Sequence, residues 1–202
     1  MHTHIHTSSS NGDHNHAFNN PERFAKLFDD PKRDDWQKPD EVLRALELTP
    51  TATVLEVGAG TGYFTLRLGK ALERGTVIAL DQSPEMAAYL KRRVEASGLA
   101  NINIREGELK NIDTLQSVDL VFCVDVYHHL HDRVGFAEQL FRELRPHSKV
   151  AIIDRPAHGH DSAHAPRVSK DMIKKEMLDA GFQIHHEYDF LLPQQFFLIF
   201  TK

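Results

Sequence analysis

Short apolar runs alternate with helical patterns through the middle of the chain. The runs are ATVLEVG, TVIALD, NINIRE, VDLVFCVD and KVAIIDR, and they are rich in Val, Ile and Leu. Their apolarity is continuous rather than alternating, which is typical of strands that are covered on both faces in a parallel sheet. We therefore predict five strands, at residues 52–58, 76–81, 101–106, 118–125 and 149–155.

The segments between and after these runs carry apolar residues at the spacing of an amphipathic helix. Such patterns cover Tyr63–Glu73, Pro84–Ser97, Arg133–Leu144 and Lys170–Ala180. Ser83 before Pro84 is a typical helix start, because the hydroxyl caps free amides and proline fits the first turn. Alternating strands and helices predict an α/β fold with a doubly wound sheet and right-handed crossovers.

The C-terminal sequence departs from this alternation. GFQIHHEYDFLLPQQFFLIFTK contains two β-rich runs, Phe182–Leu191 and Gln195–Thr201, separated by a few residues around Pro193. Because so short a connection does not cross over a sheet, the two strands should be antiparallel. We predict a Rossmann-like, doubly wound sheet of seven strands, mostly parallel, with a C-terminal antiparallel hairpin.

The first fifty residues have a different character. Residues 1–20 contain five of the fourteen histidines and show no helical or strand period, so we expect a disordered, His-rich leader. Residues 21–50 contain two amphipathic pieces, Glu22–Phe28 and Pro39–Leu48, with a proline-containing turn between them. Residues 51–202 carry the α/β pattern and form the third predicted region.

Composition narrows the classes of function. A chain of 202 residues is long enough for one domain with a full core, and its net charge of -5 gives no footprint for nucleic acid. The single cysteine, Cys123, excludes an internal disulfide framework. No apolar stretch reaches the ~18 residues of a membrane helix. We expect a cytoplasmic protein without a nucleic-acid or membrane partner, and the oligomeric state stays open.

The sequence VLEVGAGTGYF places an acid and three glycines where the first strand meets the first helix of the α/β region. Glu56 lies two residues before Gly58, and Gly60 and Gly62 follow at every second position. A dinucleotide fingerprint, GxGxxG, needs a glycine where this chain has Tyr63. Glu56 would repel a pyrophosphate but would accept hydrogen bonds from an ammonium group, so we expect a ligand with positive charge.

Several segments, in order, resemble the class I S-adenosylmethionine-dependent methyltransferases. VLEVGAGTGYF resembles the first motif of that family, VIALDQSPEM the second and IREGEL the third. VDLVFCVDVYHHL and FRELRPHSKVAIID resemble the segments around its fourth and fifth strands. The resemblance spans about residues 38–202. YHHL resembles the same segment of small-molecule methyltransferases of the ubiquinone and menaquinone type, and AKLFDDPKRDDWQKPDEVLRAL resembles a group of little-characterised bacterial methyltransferases with His-rich leaders.

The resemblance implies S-adenosylmethionine as cofactor, S-adenosylhomocysteine as product and a defined set of contacts. Asp81 would receive the ribose hydroxyls and Glu108 the adenine amino group. The full set of expected cofactor residues is Glu56, Gly58, Ala59, Gly60, Gly62, Asp81, Gln82, Glu108, Leu109 and Asp125. Taken singly, Glu56 or Asp81 could instead cap a helix, and Glu108 could be an ordinary exposed loop acid.

The residues after the fourth predicted strand are the candidates for catalysis. A methyl group on a positive sulfur is already activated, so the protein must align the reactants, exclude water and, for an acidic acceptor, supply a base. We predict His128 as that base, with Tyr127 beside it, because residues after a strand's carboxyl end face the ligand crevice. The alternative is that these side chains only cap or pack against the next helix.

The acceptor is expected to be a small molecule. Candidate contacts come from the fourth-strand segment, from the long segment after the fifth strand and from the N-terminal helices, which form a lid in the family that the chain resembles. These candidates are Trp36, His129, His164 and Arg167.

A second class of function stays open from the sequence. The fold also suits a noncatalytic S-adenosylmethionine-binding or metal-responsive protein. HTHIH and DHNH in the leader offer imidazole ligands, but spacing of two on a flexible chain is not selective. We therefore assign no specific metal site.

Overall fold

A computed structural model describes residues 20–113, 115–156 and 168–202. One seven-stranded sheet organises them, with the strand order β3-β2-β1-β4-β5-β7-β6. The strands are β1 (Thr53–Val57), β2 (Thr76–Asp81), β3 (Ile102–Glu106), β4 (Leu120–Val124), β5 (Lys149–Asp154), β6 (Gln183–Tyr188) and β7 (Phe196–Thr201). The helices are α1 (Pro21–Phe28), α2 (Arg33–Gln37), α3 (Pro39–Ala45), α4 (Thr65–Ala71), α5 (Pro84–Ser97), α6 (Arg133–Glu143) and α7 (Lys170–Asp179).

The predicted fold is confirmed. Strands β1 to β5 are parallel, β7 pairs antiparallel with β5, and β6 pairs antiparallel with β7. Hydrophobic side chains fill both faces of the sheet, with α6 and α7 covering one face and α3, α4 and α5 the other. The continuous apolarity of the central runs therefore reflects burial on two sides.

Strand β3 differs from the expectation of a strand buried on both faces. Ile102 at its start is buried, but Asn103, Arg105 and Glu106 are exposed. Because β3 lies at the sheet edge, one of its sides has no neighbouring strand. Two short 3-10 turns, Leu109–Asn111 and Leu115–Ser117, lead from β3 to β4. A cavity of about 260 Å³ under these turns opens beside the amino ends of β1 and β2.

The N-terminal segment holds one helix more than the sequence predicted. We expected a turn between the two amphipathic pieces, but residues 33–37 form α2. An i to i+4 hydrogen bond from Arg33 Nε to Gln37 Oε1, at 3.3 Å, stabilises this single turn. Lys38 then adopts a left-handed φ of +46° ahead of Pro39, which separates α2 from α3.

None of the helices in the described ranges is both long and apolar enough to cross a membrane.

Candidate functional site

Four acids lie at the carboxyl ends of four adjacent parallel strands. Glu56 is in β1, Asp81 ends β2, Asp125 follows β4 and Asp154 ends β5. Strand order reverses between β1 and β4, and such a switch point is where doubly wound sheets bind ligands. The structure therefore brings acids that are far apart in sequence to one edge of the sheet.

The glycine turn after β1 is folded against β2. The amides of Gly58 and Ala59 both donate to the Leu80 carbonyl, at 2.8 and 3.0 Å. All three glycines of the motif have a positive φ, between +55° and +91°. This backbone explains why the sequence uses glycine at Gly58, Gly60 and Gly62.

Only one of these glycines leaves open space. A Cβ atom at Gly58 would lie 2.5 Å from the Val126 side chain, and one at Gly62 would lie 2.4 Å from Leu90. At Gly60 the nearest atom would be a carbonyl oxygen 4.0 Å away. All three glycines are among the cofactor residues expected from the sequence. Gly58 and Gly62 instead permit internal packing, and Gly60 is the position that a ligand can approach.

Alanine substitutions should separate these two roles. Gly62→Ala should lower the free energy of unfolding by about 2–4 kcal/mol, because its Cβ clashes with Leu90 at a strained φ. Gly60→Ala should cost only about 1–2 kcal/mol for its backbone conformation but should weaken binding of the expected cofactor about tenfold or more. Urea unfolding and calorimetry with S-adenosylhomocysteine measure the two quantities. Equal cofactor affinity in Gly60→Ala and the unchanged protein would contradict the assignment.

Glu56 is a buried acid beneath the glycine turn. Its side chain is 4% exposed, and Thr65 Oγ1 donates to its Oε2 at 2.5 Å. Burial raises the pKa of Glu56 to about 8, although the Thr65 hydrogen bond and the Arg33 charge act in the opposite direction. A carboxyl group with little solvation gains more than an exposed one from a cationic ligand. This site suits an ammonium group.

Asp81 closes the neighbouring side of the turn. Its Oδ2 accepts from the Gly60 amide at 2.7 Å, and its Oδ1 accepts from the Ser83 amide at 2.9 Å. Burial raises the pKa of Asp81, and these two amides lower it. Each carboxylate oxygen keeps a further lone pair, so Asp81 can also accept hydrogen bonds from vicinal hydroxyls.

His128 forms a pair with a buried acid that we did not predict. The His128 ring Nδ1 lies 2.7 Å from Asp154 Oδ1, and the His128 amide donates to Asp154 Oδ2 at 3.2 Å. Asp154 is 1% exposed, whereas the His128 side chain is 16% exposed. An ionised carboxylate only accepts hydrogen bonds, so it favours the tautomer with the proton on Nδ1. Nε2 is then available to accept a proton.

Two predicted site residues lie in the core instead. Tyr127 is fully buried against Phe136, and its hydroxyl donates to Glu176 Oε2 at 3.0 Å. Burial and the Glu176 charge raise the pKa of Tyr127, which disfavours proton transfer by its hydroxyl. The Leu109 side chain is also buried in the core. Each belongs to a short 3-10 turn whose apolar side faces the sheet, so neither side chain faces the crevice.

The other candidates are at or near the surface. Gln82 and His129 are exposed, and the His128 and His129 rings are 4.0 Å apart. Glu108 is half-exposed and pairs with Lys110 at 2.8 Å. Trp36 is half-buried on α2, with the Arg33 guanidinium 5.9 Å from its ring centre. The remaining two candidates, His164 and Arg167, lie outside the described residues.

Ion pairs fasten the N-terminal segment to the glycine turn. Asp29 accepts from Arg93 Nη1 at 2.7 Å and from Thr61 Oγ1 at 3.2 Å. Asp34 accepts from the Tyr63 hydroxyl and forms an ion pair with Arg67 at 3.0 Å. This part of the N-terminal segment therefore lies beside the glycine turn after β1.

Four residues near this site were not among the candidates from the sequence: Asp154, Arg33, Gln37 and Gln195. For Asp154 a signal was present, because KVAIID ends in an acid next to the fourth strand. Arg33 Nη1 donates to the Phe28 carbonyl at 2.8 Å, and its guanidinium lies 3.8 Å from the Tyr63 ring centre. No local pattern predicts that contact.

Comparisons with known proteins agree with this geometry. A family model described as a methyltransferase domain matches residues 54–147. A solved S-adenosylmethionine-dependent methyltransferase from Aquifex aeolicus is 30% identical, with a TM-score of 0.79 over 89% of this chain and 97% of that one.

Curated relatives match over a shorter span. An uncharacterised methyltransferase-like protein of Schizosaccharomyces pombe is 34% identical over 51% of this chain and 38% of its own length. A trans-aconitate 2-methyltransferase of Deinococcus radiodurans is 29% identical over 56% of this chain and 42% of its own length. The chain thus matches about two fifths of these relatives.

The open approach at Gly60, the buried Glu56 carboxyl and the Asp81 carboxylate fit the donor of that family, which carries an ammonium group and a ribose. The Aquifex protein covers nearly the whole of the described fold. This chain belongs to the class I S-adenosylmethionine-dependent methyltransferases.

Proposed function

We propose that this protein transfers the methyl group of S-adenosylmethionine to a small-molecule acceptor. Glu56 would bind the donor's ammonium group, and Asp81 would bind its ribose. The donor would lie against the main chain at Gly60. The donor supplies a methyl group already activated by its positive sulfur. The protein itself must bind the donor and the acceptor, orient them, exclude water from the site and take a proton from the acceptor.

The pair of His128 and Asp154 is the observation that carries this proposal. Asp154 holds His128 through the ring and through the backbone amide, at 2.7 and 3.2 Å. Such double contact fixes the ring's orientation and its tautomer, as a general base requires. The pair lies at the carboxyl ends of β4 and β5, beside the proposed donor site. A proton lost by an oxygen, nitrogen or acidic carbon of the acceptor would go to Nε2 of His128.

The charge of the chain supports a small acceptor. A net charge of -5 offers no attraction to the phosphates of a nucleic acid. The Deinococcus radiodurans relative is named for trans-aconitate, a small carboxylic acid. The single cysteine, Cys123, is completely buried, and burial raises the pKa of its thiol. We therefore give this thiol no role in binding or activating the acceptor.

Isotope transfer tests the proposal directly. The purified protein is incubated with methyl-labelled S-adenosylmethionine and a panel of small carboxylic acids, phenols and quinols, and products are found by mass spectrometry. We expect one acceptor class to gain one labelled methyl group and S-adenosylhomocysteine to appear in equal amount. Saturable donor binding by calorimetry without any methylated product would instead support the noncatalytic alternative.

The metal-responsive alternative depends on the His-rich leader, and residues 1–19 lie outside the described part of the chain. Within the described ranges no group of three or more His, Cys, Asp or Glu side chains could hold a metal ion. No observation in the described structure favours this alternative.

Asp81→Ala should weaken binding of S-adenosylhomocysteine by about 1–3 kcal/mol, because the ribose hydroxyls lose their acceptor. Asp81→Asn keeps one acceptor oxygen for the Gly60 or Ser83 amide but turns an NH₂ group toward the other amide, so it should disturb the loop less than alanine does. Isothermal titration calorimetry measures both affinities. An unchanged dissociation constant in Asp81→Ala would remove this residue from the donor site.

A further inference from the structure

A buried chain of hydrogen bonds joins the N-terminal helices to the end of β4. Arg33 Nε and Nη2 donate to Gln37 Oε1 at 3.3 and 3.1 Å. Gln37 Nε2 donates to Gln195 Oε1 at 2.6 Å, and Gln195 Nε2 donates to Asp125 Oδ1 at 2.8 Å. Gln37 and Gln195 are 158 positions apart in sequence, and both are 0% exposed. We call these two glutamines the amide bridge.

The two ends of the chain fix the direction of every bond in it. The Arg33 guanidinium only donates and the Asp125 carboxylate only accepts, so each glutamine amide between them has a single allowed orientation. Both amides are buried, and an amide that loses its partner there does not regain one from water. The chain should therefore form or open as a unit.

Asp125 is the end that reaches the proposed donor site. It has a φ of +53°, which is uncommon for a residue other than glycine, and its amide donates to the Ile153 carbonyl at 2.9 Å. Its Oδ1 also accepts from Arg155 Nε at 3.3 Å. The amide bridge thus reaches this carboxylate directly from the N-terminal segment.

We propose that the amide bridge is a latch. Gln37 and Gln195 are positioning residues that keep α1, α2 and α3 against the donor site and keep the Asp125 carboxylate in place beside a bound donor. This inference rests on the proposed function. Release of the donor product requires the latch to open, and a bound donor in turn protects the latch, since such coupling is reciprocal.

Isosteric substitutions test the latch. Gln37→Glu and Gln195→Glu keep an accepting oxygen but lose the donating NH₂ group, and in Gln195→Glu two carboxylates face each other. Gln194→Glu is the matched control, because this neighbouring residue is exposed and takes no part in the series of hydrogen bonds from Arg33 to Asp125. Stopped-flow measurement gives the dissociation rate of S-adenosylhomocysteine. We expect both bridge variants to release it about tenfold faster or more, and the control to release it at the rate of the unchanged protein.

Hydrogen exchange gives an independent readout. Amides of residues 33–48 should gain protection when S-adenosylhomocysteine binds the unchanged protein, and they should lose that gain in both bridge variants. The double variant should release the product no faster than the worse single variant, because the chain acts as a unit. If a glutamate variant does not fold, Gln37→Ala, which removes the same donor, carries the same expectation.

The outcomes separate the two proposals. Bridge variants that fold and bind but release S-adenosylhomocysteine at the unchanged rate would overturn the latch and leave the proposed function standing. A residue with only a structural role would lower the melting temperature without changing that rate. An unchanged protein that shows no affinity for S-adenosylhomocysteine would overturn the proposed function itself.

Discussion

Replacing His128 with alanine is expected to lower kcat by about 100-fold or more for an acceptor that loses a proton, since general-base catalysis contributes roughly that much. Donor affinity should stay within about twofold, because no proposed donor contact involves the imidazole. Single-turnover kinetics with a methylated product as readout, together with calorimetry of S-adenosylhomocysteine, separate the two effects. His185→Ala, on the exposed edge strand β6, is the matched histidine control.

Asp154→Asn tests the same pair from its other member. The asparagine oxygen can still accept from the His128 amide, but the NH₂ group would donate to Nδ1 and drive the ring proton to Nε2. Nε2 would then carry a hydrogen and have no lone pair for the acceptor's proton. We expect a fall in kcat comparable to that of His128→Ala, and a double variant no slower than the worse single variant. Unchanged turnover in either single variant would leave the base assignment without support.

Glu56→Gln is expected to make the donor-free protein more stable and to weaken its affinity for the donor. Burial raises the pKa of Glu56 to about 8, whereas in the unfolded chain this carboxyl ionises near its ordinary value of 4.5. Between these values the folded protein binds the extra proton, so the free energy of unfolding falls as the pH rises from about 4.5 to about 8. A glutamine side chain does not ionise, so the variant does not lose stability in this way as the pH rises.

The stability gain at pH 7 should be at most about 3 kcal/mol, from about 2.5 pH units of linkage above the ordinary pKa. Urea unfolding at pH 5.5, 7 and 8 measures it, and the pH dependence itself should flatten in the variant. Glu95→Gln, an exposed acid on α5, controls for the change in net charge. An unchanged slope of stability against pH in Glu56→Gln would contradict the buried, protonated state of Glu56.

Donor binding should show the opposite dependence on pH. The ammonium group needs an ionised Glu56, so binding expels a proton below pH 8, and affinity should rise with pH up to about that value. Loss of this charge-assisted contact in Glu56→Gln should weaken S-adenosylhomocysteine binding by about 1.5–3 kcal/mol, or roughly 10- to 150-fold. Calorimetry in two buffers of different ionisation enthalpy counts the released proton. Binding without proton release at pH 6.5 would rule out the ammonium contact.

Much of the central fold could be predicted from sequence because each element carries its own local signal. The runs at residues 77–80 and 150–153 are apolar throughout, since strands in the middle of a parallel sheet are buried on both faces. Ser83 and Pro84 mark the start of α5, and Ser83 Oγ accepts from the Met86 amide at 3.2 Å. The sequence predicted the burial of edge strand β3 less well, because burial there depends on the position of the strand in the sheet.

Side-chain partners were a different matter. Tyr127 and His128 are adjacent in sequence and looked alike as candidates, yet one is fully buried in the core and the other faces Asp154. A 3-10 turn points successive side chains in different directions, and the sequence pattern is too short to show which is which. The three glycines were also indistinguishable until Val126 and Leu90 were seen beside two of them.

The sequence by itself determined the succession of strands and helices along the chain from β1 to β7, the glycine turn after β1 and the acids at the ends of β1 and β2, because these depend on local pattern and on a motif of consecutive residues. Tertiary structure alone decided the pairs His128–Asp154 and Gln37–Gln195, whose members are 26 and 158 positions apart. Such contacts arise when separate strands and helices pack into one core, and the free energy of that packing depends on several segments together rather than on any one of them.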